Sequence, residues 1–312
     1  MRVVSLLPSA TELLCVIGGG DLLVGRSHEC DFPESLASLP ILTGQKTHAA
    51  SSAEIDKQVR QAIAAGVDDS GEIATSGGSL YRLDIELLKS LKPDVILTQD
   101  LCDVCSIDLN TVRGVVADMN PKPVIVSLNP ISLEDVFDDL LVVGQAVGME
   151  DTARRVMVEL RGRFWEARDF VNPYLEGPEV AFLEWMDPLF IGGHWTPQLI
   201  DAAGGRHSLN VPGKKSRQIT PEDLVASMPD RLIICPCGYD LDAIHAELET
   251  LTSRKWWSLL PAVQDGHVAL VDGNAMFNRP GPRLVDAYRW LVGWINDRPE
   301  VMPKDFPYRP GR

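Results

Sequence analysis

The stretch Glu150–Val171, EDTARRVMVELRGRFWEARDFV, decides how the rest of the chain is divided. Its apolar residues Ala153, Val156, Met157, Leu160, Phe164, Ala167 and Val171 recur at three-and-four spacing and draw one stripe down an α-helix. Glu150 and Asp151 stand where the positive end of the helix dipole favours acid, and Asn172-Pro173 stops the run. Twenty-two residues at ~1.5 Å each make a rod of roughly 33 Å, about the width of a small domain. Strand-like and helix-like segments alternate on both sides of it. It therefore reads as a beam between two lobes, 1–148 and 174–312, with 149–173 as the bridge. The other reading is a covering helix of one large sheet.

An internal repeat favours two lobes. ELLKSLKPDVIL from Glu86 and EDLVASMPDRLI from Glu222 share one grammar: an amphipathic helix opening on Glu, a Pro-Asp break at Pro93-Asp94 or Pro229-Asp230, and a β-rich strand. They lie 136 residues apart, one on each side of the beam. Around them the pattern predicts strands at 2–7, 22–26, 95–98, 124–127, 179–185, 231–234 and 268–271. Helices are predicted at 10–16, 52–65, 84–91, 112–119, 133–147, 196–203, 221–227, 241–251 and 283–295. Residues 43–78 read as an excursion from this alternation, and the Pro-rich C-terminal tail as a surface wrap.

Composition excludes more than it identifies. A formal charge of −15 over 312 residues argues against nucleic acid and anionic membrane as partners, since both need a cationic face. No run of 18 apolar residues exists, so no membrane insertion is expected. The opening MRVVSLLPS lacks a signal-peptide core, and the resulting expectation is a cytoplasmic chain. The six cysteines form two close pairs and two singles, unlike a small disulfide scaffold.

Open α/β sheets bind ligands beyond the carboxyl ends of their strands. On this basis the first lobe contributes His28, Glu29, Cys30, Asp31, Asp100, Cys102 and Cys105. The second contributes Glu184, Trp185, His194, Trp195, Cys235, Cys237, Asn274, Phe277 and Arg279. One reading makes Cys30, Cys102, Cys105, Cys235 and Cys237 ligands of zinc or another late transition metal. A second makes the strand ends a receptor for a bulky flat small molecule, with Trp185, Trp195 and Phe277 as apolar faces and Arg279 and carboxylates fixing orientation. Core packing is the plain alternative for each aromatic. Catalysis has little support: there is no Gly-x-Ser-x-Gly elbow, no His-Glu-x-x-His, and no phosphate-loop spacing at Val211–Ser216. A metal-dependent enzyme using the His and Cys side chains is the remaining alternative.

RVVSLLPSATELL from Arg2, then VGRS from Val24 and Asp31-Phe32-Pro33, resemble the start of vitamin B12-binding proteins of ABC importers. Leu91–Ile96, Gly192–Gly205 and Phe277 to Arg283 continue the match in order. The resemblance is to class III periplasmic binding proteins, the helical-backbone metal-receptor group, and within it to a leaderless Cys-rich subgroup. It implies an α/β fold of two Rossmann-like lobes with parallel sheets, bridged by one long α-helix, with the ligand in the cleft. It implies cobalamin or another metal chelate as ligand, Arg279 among the residues lining the site, and, if the chain is exported, an importer permease docking on Glu86 and Glu222.

Overall fold

The computed structural model describes residues 1–45, 51–65, 81–100, 107 and 109–311. In the first half the strands are β1 (Val3–Ser5), β2 (Leu23–Arg26), β3 (Thr43–Gln45), β4 (Tyr81–Leu83), β5 (Val95–Thr98) and β6 (Val124–Ser127). Among the described residues, β2, β1, β5 and β6 form a parallel sheet in that order, and β3 pairs with β4 as an antiparallel ribbon. The helices here are α1 (Pro8–Val16), α2 (Ser52–Ala65), α3 (Ile85–Leu91), α4 (Leu109–Ala117) and α5 (Leu133–Ala146). After α6 (Glu150–Arg168) come β7 (Val180–Trp185), β8 (Phe190–Ile191), β9 (Arg217–Gln218), β10 (Arg231–Ile234), β11 (Val268–Val271) and β12 (Tyr308–Pro310). Their sheet runs β12-β11-β10-β7-β8-β9, parallel through β11, β10 and β7 and antiparallel at its edges. Its helices are α7 (Thr196–Ala202), α8 (Pro221–Ala226), α9 (Leu241–Glu247), α10 (Glu249–Thr252), α11 (Pro261–Gln264) and α12 (Leu284–Ile295).

The chain divides into two compact units. The first comprises Met1–Ala50, Glu54–Pro130 and Glu134–Val158; the second comprises Ser51–Ala53, Ile131–Leu133 and Glu159–Arg312. The division falls inside α6, whose stripe of Ala153, Val156, Leu160, Phe164 and Ala167 is buried while Val158 and Trp165 are exposed. The helix stops at Arg168, short of the proline. Phe170 and Val171 bond instead to the carbonyls three residues back, Ala167 and Arg168, the tighter closure usual in a last turn.

Each sheet has a core of its own. Strands β1, β5, β10 and β11 are buried at every position, as parallel strands covered on both faces must be, and this is why they read as mainly apolar runs. Val4, Leu42, Leu88, Ile96 and Val112 pack together in the first unit, and Leu183, Leu224, Leu232, Ile234 and Leu270 in the second.

The sequence repeat is also a structural one. Helices α3 and α8 are followed by Lys92 and Met228, whose φ angles of 45° and 46° are left-handed, just ahead of Pro93 and Pro229. The following aspartates do the same job in each unit. Asp94 accepts the backbone N–H of Arg2 at 2.7 Å beside β1, and Asp230 accepts that of Glu179 at 2.8 Å beside β7. Several segments differ from the reading of the sequence, among them two late ones. The helix predicted over 241–251 breaks at Leu248 into α9 and α10, and the C-terminal tail adds β12 to the sheet edge, where a proline without an N–H is tolerated.

Candidate functional site

In the first unit β2 delivers Ser27–Asp31 at its carboxyl end. Arg26, which the sequence reading passed over, organises this loop. Its buried guanidinium donates to the carbonyls of Leu36 at 3.1 Å, Ser27 at 3.2 Å, Cys30 at 3.0 Å and Ala37 at 3.1 Å. The ribbon of β3 and β4 then sets Thr43 and Tyr81 beside it, closing a long gap in sequence. Thr43 Oγ1 accepts the backbone N–H of His28 at 3.0 Å and lies 2.7 Å from His28 Nδ1 and 2.9 Å from Ser27 Oγ. The Tyr81 hydroxyl donates to Glu29 Oε1 at 3.1 Å, and the same oxygen is 3.5 Å from His28 Nε2. Burial pushes the His28 imidazole below its ordinary value, against an upward pull from Glu29, so at neutral pH it is uncharged.

Other predicted residues of this unit stand apart. Cys30 is buried with its Sγ 3.0 Å from Thr11 Oγ1, packed onto α1. Cys15 follows Thr11 by one turn, and burial, then Cys30 and Glu12, push its thiol up to about 11. Asp31 and Asp100 are exposed; the Asp100 N–H donates to Asn129 Oδ1 at 2.7 Å. Cys102 and Cys105 lie outside the described residues.

In the second unit β7, β10 and β11 end side by side. Ser216 Oγ lies 2.8 Å from each Glu184 oxygen. Trp185, half-buried, donates from Nε1 to the carbonyl of Ser52 at 3.2 Å and meets the Tyr239 ring edge-on at 5.4 Å. Ser52 belongs to this unit and donates its N–H to Glu247 at 2.7 Å. Beyond β11, Gly273 approaches so closely that a Cβ there would stand 2.0 Å from the carbonyl oxygen of Pro236. Asn278 ties the two strand ends, donating to the carbonyls of Cys235 at 3.0 Å and Gly273 at 2.9 Å. Arg279, buried, donates to Asn274 Oδ1 at 3.2 Å. Burial, with Asp240 adding, lifts the Asp272 carboxyl against the pull of the Ala275 and Asn274 N–H groups.

Two of the three aromatic candidates are core residues. Phe277 is wholly buried against Phe182 at 5.1 Å and Trp290 at 6.1 Å, and Trp195 is buried with its Nε1 donating to the Phe277 carbonyl at 2.7 Å. Neither ring has a face for a ligand, which corrects their assignment as apolar walls. His194 sits at a φ of 52°, its N–H donating to the Lys214 carbonyl at 2.6 Å, and burial followed by the Lys215 charge holds its ring neutral.

Of the cysteines read as metal ligands, Cys30, Cys235 and Cys237 are among the described residues. Cys235 is fully buried, and burial, then Glu184 and Asp272, hold its thiol far above the ordinary range, so it is a protonated packing group. Cys237 is exposed. Among the described residues, no group of three or more His, Cys, Asp or Glu side chains is placed to hold a metal ion.

A model of the family described as "Periplasmic binding protein" matches residues 3–275. This chain belongs to that family. Among curated proteins, an uncharacterized ABC transporter substrate-binding lipoprotein, YvrC of Bacillus subtilis (strain 168), is 21% identical over 300 residues, covering 93% of this chain and 78% of the relative. Among solved structures, the periplasmic vitamin B12 binding protein BtuF of Vibrio cholerae has a TM-score of 0.67 at 18% identity, over 96% of this chain and 98% of that one. The periplasmic heme-binding protein RhuT from Roseiflexus sp. RS-1 has a TM-score of 0.69 at 20% identity, over 95% and 98%. These likenesses show the fold: an α/β class III periplasmic binding protein.

Membership makes this periplasmic binding protein a substrate-binding protein and not an enzyme. It also overturns the expectation of a cytoplasmic chain. The family is periplasmic by description and the curated relative is a lipoprotein, so its homologues are extracytoplasmic. Among the described residues no helix is long and apolar enough to cross a membrane.

Proposed function

We propose that this periplasmic binding protein carries a metal-containing or metal-chelating small molecule to an ABC importer, a cobalamin-like corrinoid by first preference. The carrying observation is Trp185. Of the three aromatics that the sequence offers at the strand ends, it alone keeps exposed surface, and its indole is already held in place by Ser52 and Tyr239. A large ring fixed before binding loses little entropy on contact with a flat ligand. Relatives of the same fold named for vitamin B12 and for heme support the ligand class. Asn274 and buried Arg279 form a polar pair near the end of β11 that can orient amide or carboxylate groups.

Glu86 and Glu222 are the proposed docking groups for the permease. Both are exposed in the first turns of α3 and α8, at equivalent places in the repeat, and neither is the residue that caps its helix. Titration with cyanocobalamin and, separately, heme, followed by visible absorbance, tests the reading. The wild-type chain is expected to bind at least one of them, and Trp185→Ala to weaken that binding by roughly 1–3 kcal/mol. A wild-type chain that takes up neither chelate overturns the ligand class, and an unchanged affinity in the variant removes Trp185 from the site.

A further inference from the structure

The loop after β8 holds a histidine in a state that packing alone does not explain. His194 has a left-handed φ of 52°, a conformation that few residues with a Cβ adopt and that surrounding bonds must enforce. Its N–H donates to the Lys214 carbonyl at 2.6 Å, and its carbonyl accepts the Gly213 N–H at 2.9 Å. Buried Asn210 spans the same loop, its Nδ2 donating to the carbonyls of Gly192 at 3.1 Å and Lys215 at 3.2 Å. At Gly193 the two segments touch: a Cβ there would stand 2.3 Å from the Ser216 nitrogen. Residues 213–216 are thus pinned against 192–194, and Lys215 is set beside the imidazole.

The ring so held is left unused. His194 Nε2 is buried with no hydrogen-bond partner, and among the described residues Nδ1 has none either, so nothing fixes the tautomer. Either tautomer leaves Nε2 unsatisfied, as donor or as acceptor, at a cost that a bound group removes. Lys215 decides what that group is. Its exposed ammonium has no ion-pair partner among the described residues, and no carboxylate among them offsets its effect on the ring. The Glu184 carboxylate is engaged by Ser216 Oγ, which lies 2.8 Å from each of its oxygens. A cation is repelled from such a place and an oxyanion attracted, and an oxyanion selects the tautomer with the proton on Nε2.

We propose that His194 Nε2–H and the Lys215 ammonium form an oxyanion subsite of the second unit, which takes a carboxylate or phosphate group of the carried molecule. The inference rests on the carrier reading and narrows it to chelates with an anionic side group. Porphyrin carboxylates and the phosphodiester of a corrinoid nucleotide are the two sources of that chemistry.

Visible titration of the full chain with two matched pairs separates them: heme against its dimethyl ester, and cyanocobalamin against dicyanocobinamide, which lacks the phosphate. In whichever pair binds, the anionic member is expected to bind about tenfold more tightly. Lys215→Ala and His194→Asn should erase that preference and leave the affinity of the neutral member unchanged; Asn is chosen because it tolerates a left-handed φ. Lys255→Ala, which removes an exposed charge elsewhere in the unit, should keep the preference. Equal binding of both members by the wild-type chain overturns the subsite. So does a preference kept in either variant, a Lys215→Ala chain that weakens both members alike, or a Lys255→Ala loss equal to that of Lys215→Ala. Uptake of no chelate overturns the carrier reading instead, and nitrogen NMR of the imidazole then decides the subsite. Acetate or inorganic phosphate should shift the His194 Nε2 signal saturably in wild type and not in Lys215→Ala, and no shift with either anion overturns the pair.

Discussion

His28 of the first unit and His194 of the second are both half-buried, both held neutral by burial, and both have a buried Nε2 with no hydrogen-bond partner. The charge beside them differs: a carboxylate, Glu29, for one and an ammonium, Lys215, for the other. The neighbouring charge favours protonation of the first ring and opposes it for the second, although sequence alone treats the two residues alike. The contrast extends to their surroundings. Around His28 the strand end is held by side chains bonded to one another, whereas in the second unit core rings and backbone approaching backbone at Gly273 act beside such bonds. Substituting Phe277 in the second unit and Thr43 in the first therefore compares a core ring with a polar network.

The largest expected effect is Phe277→Ala. The ring is fully buried among Phe182, Trp290 and Phe306, and its removal leaves a cavity that the β-sheet cannot fill. A loss of about 3–5 kcal/mol is expected from urea or guanidinium unfolding. A loss below about 1 kcal/mol, of the size seen at surface positions, would break the contrast by returning Phe277 to the ligand wall.

The fold was legible because its signals are local. The stripe on α6, the Pro-Asp breaks and the apolar runs of β5, β10 and β11 each lie within a dozen or so residues. The short strands β8 and β9, two residues each, carry too little pattern to register. The site was less legible, since exposure and partnership are tertiary facts. Nothing near Trp195 or Phe277 in sequence separates a core ring from a ligand wall, and Thr43 and Tyr81 reach His28 and Glu29 only through strand pairing. Arg26 is the exception, since a charge at the end of an apolar strand is a local signal of a buried guanidinium.

Thr43→Val comes next in size. It keeps the shape and removes the oxygen shared by the His28 N–H, His28 Nδ1 and Ser27 Oγ. Leaving such buried groups without a partner costs about 1–3 kcal/mol, less than the loss of a core ring. Urea midpoints of the two variants, measured side by side, sharpen the comparison. A Thr43→Val loss equal to that of Phe277→Ala would mean that the polar network carries as much of the fold as the aromatic core does.

The smallest effect carries a sign that pH reveals. Asp139, on α5 of the first unit, has a buried Oδ2 without a hydrogen-bond partner, and burial, then Asp135 and Asp138, push its carboxyl up to about 7. Asp272 of the second unit is also lifted by burial, yet it accepts the Ala275 N–H at 2.9 Å and so has work for its charge. For Asp139 the folded chain holds a proton that the unfolded chain has already released from about pH 4 upward. Its contribution to stability is therefore intact at pH 4, declines as the pH rises, and is lost above pH 7. Asp139→Asn removes the ionisation, and the variant is expected to be more stable than wild type by about 1–2 kcal/mol at pH 8, after allowance for solvent screening, and nearly equal to it at pH 4. Urea unfolding at the two pH values decides the matter. An equal gain at both would place the effect in charge-independent packing of α5 and leave the buried carboxyl without a role in it.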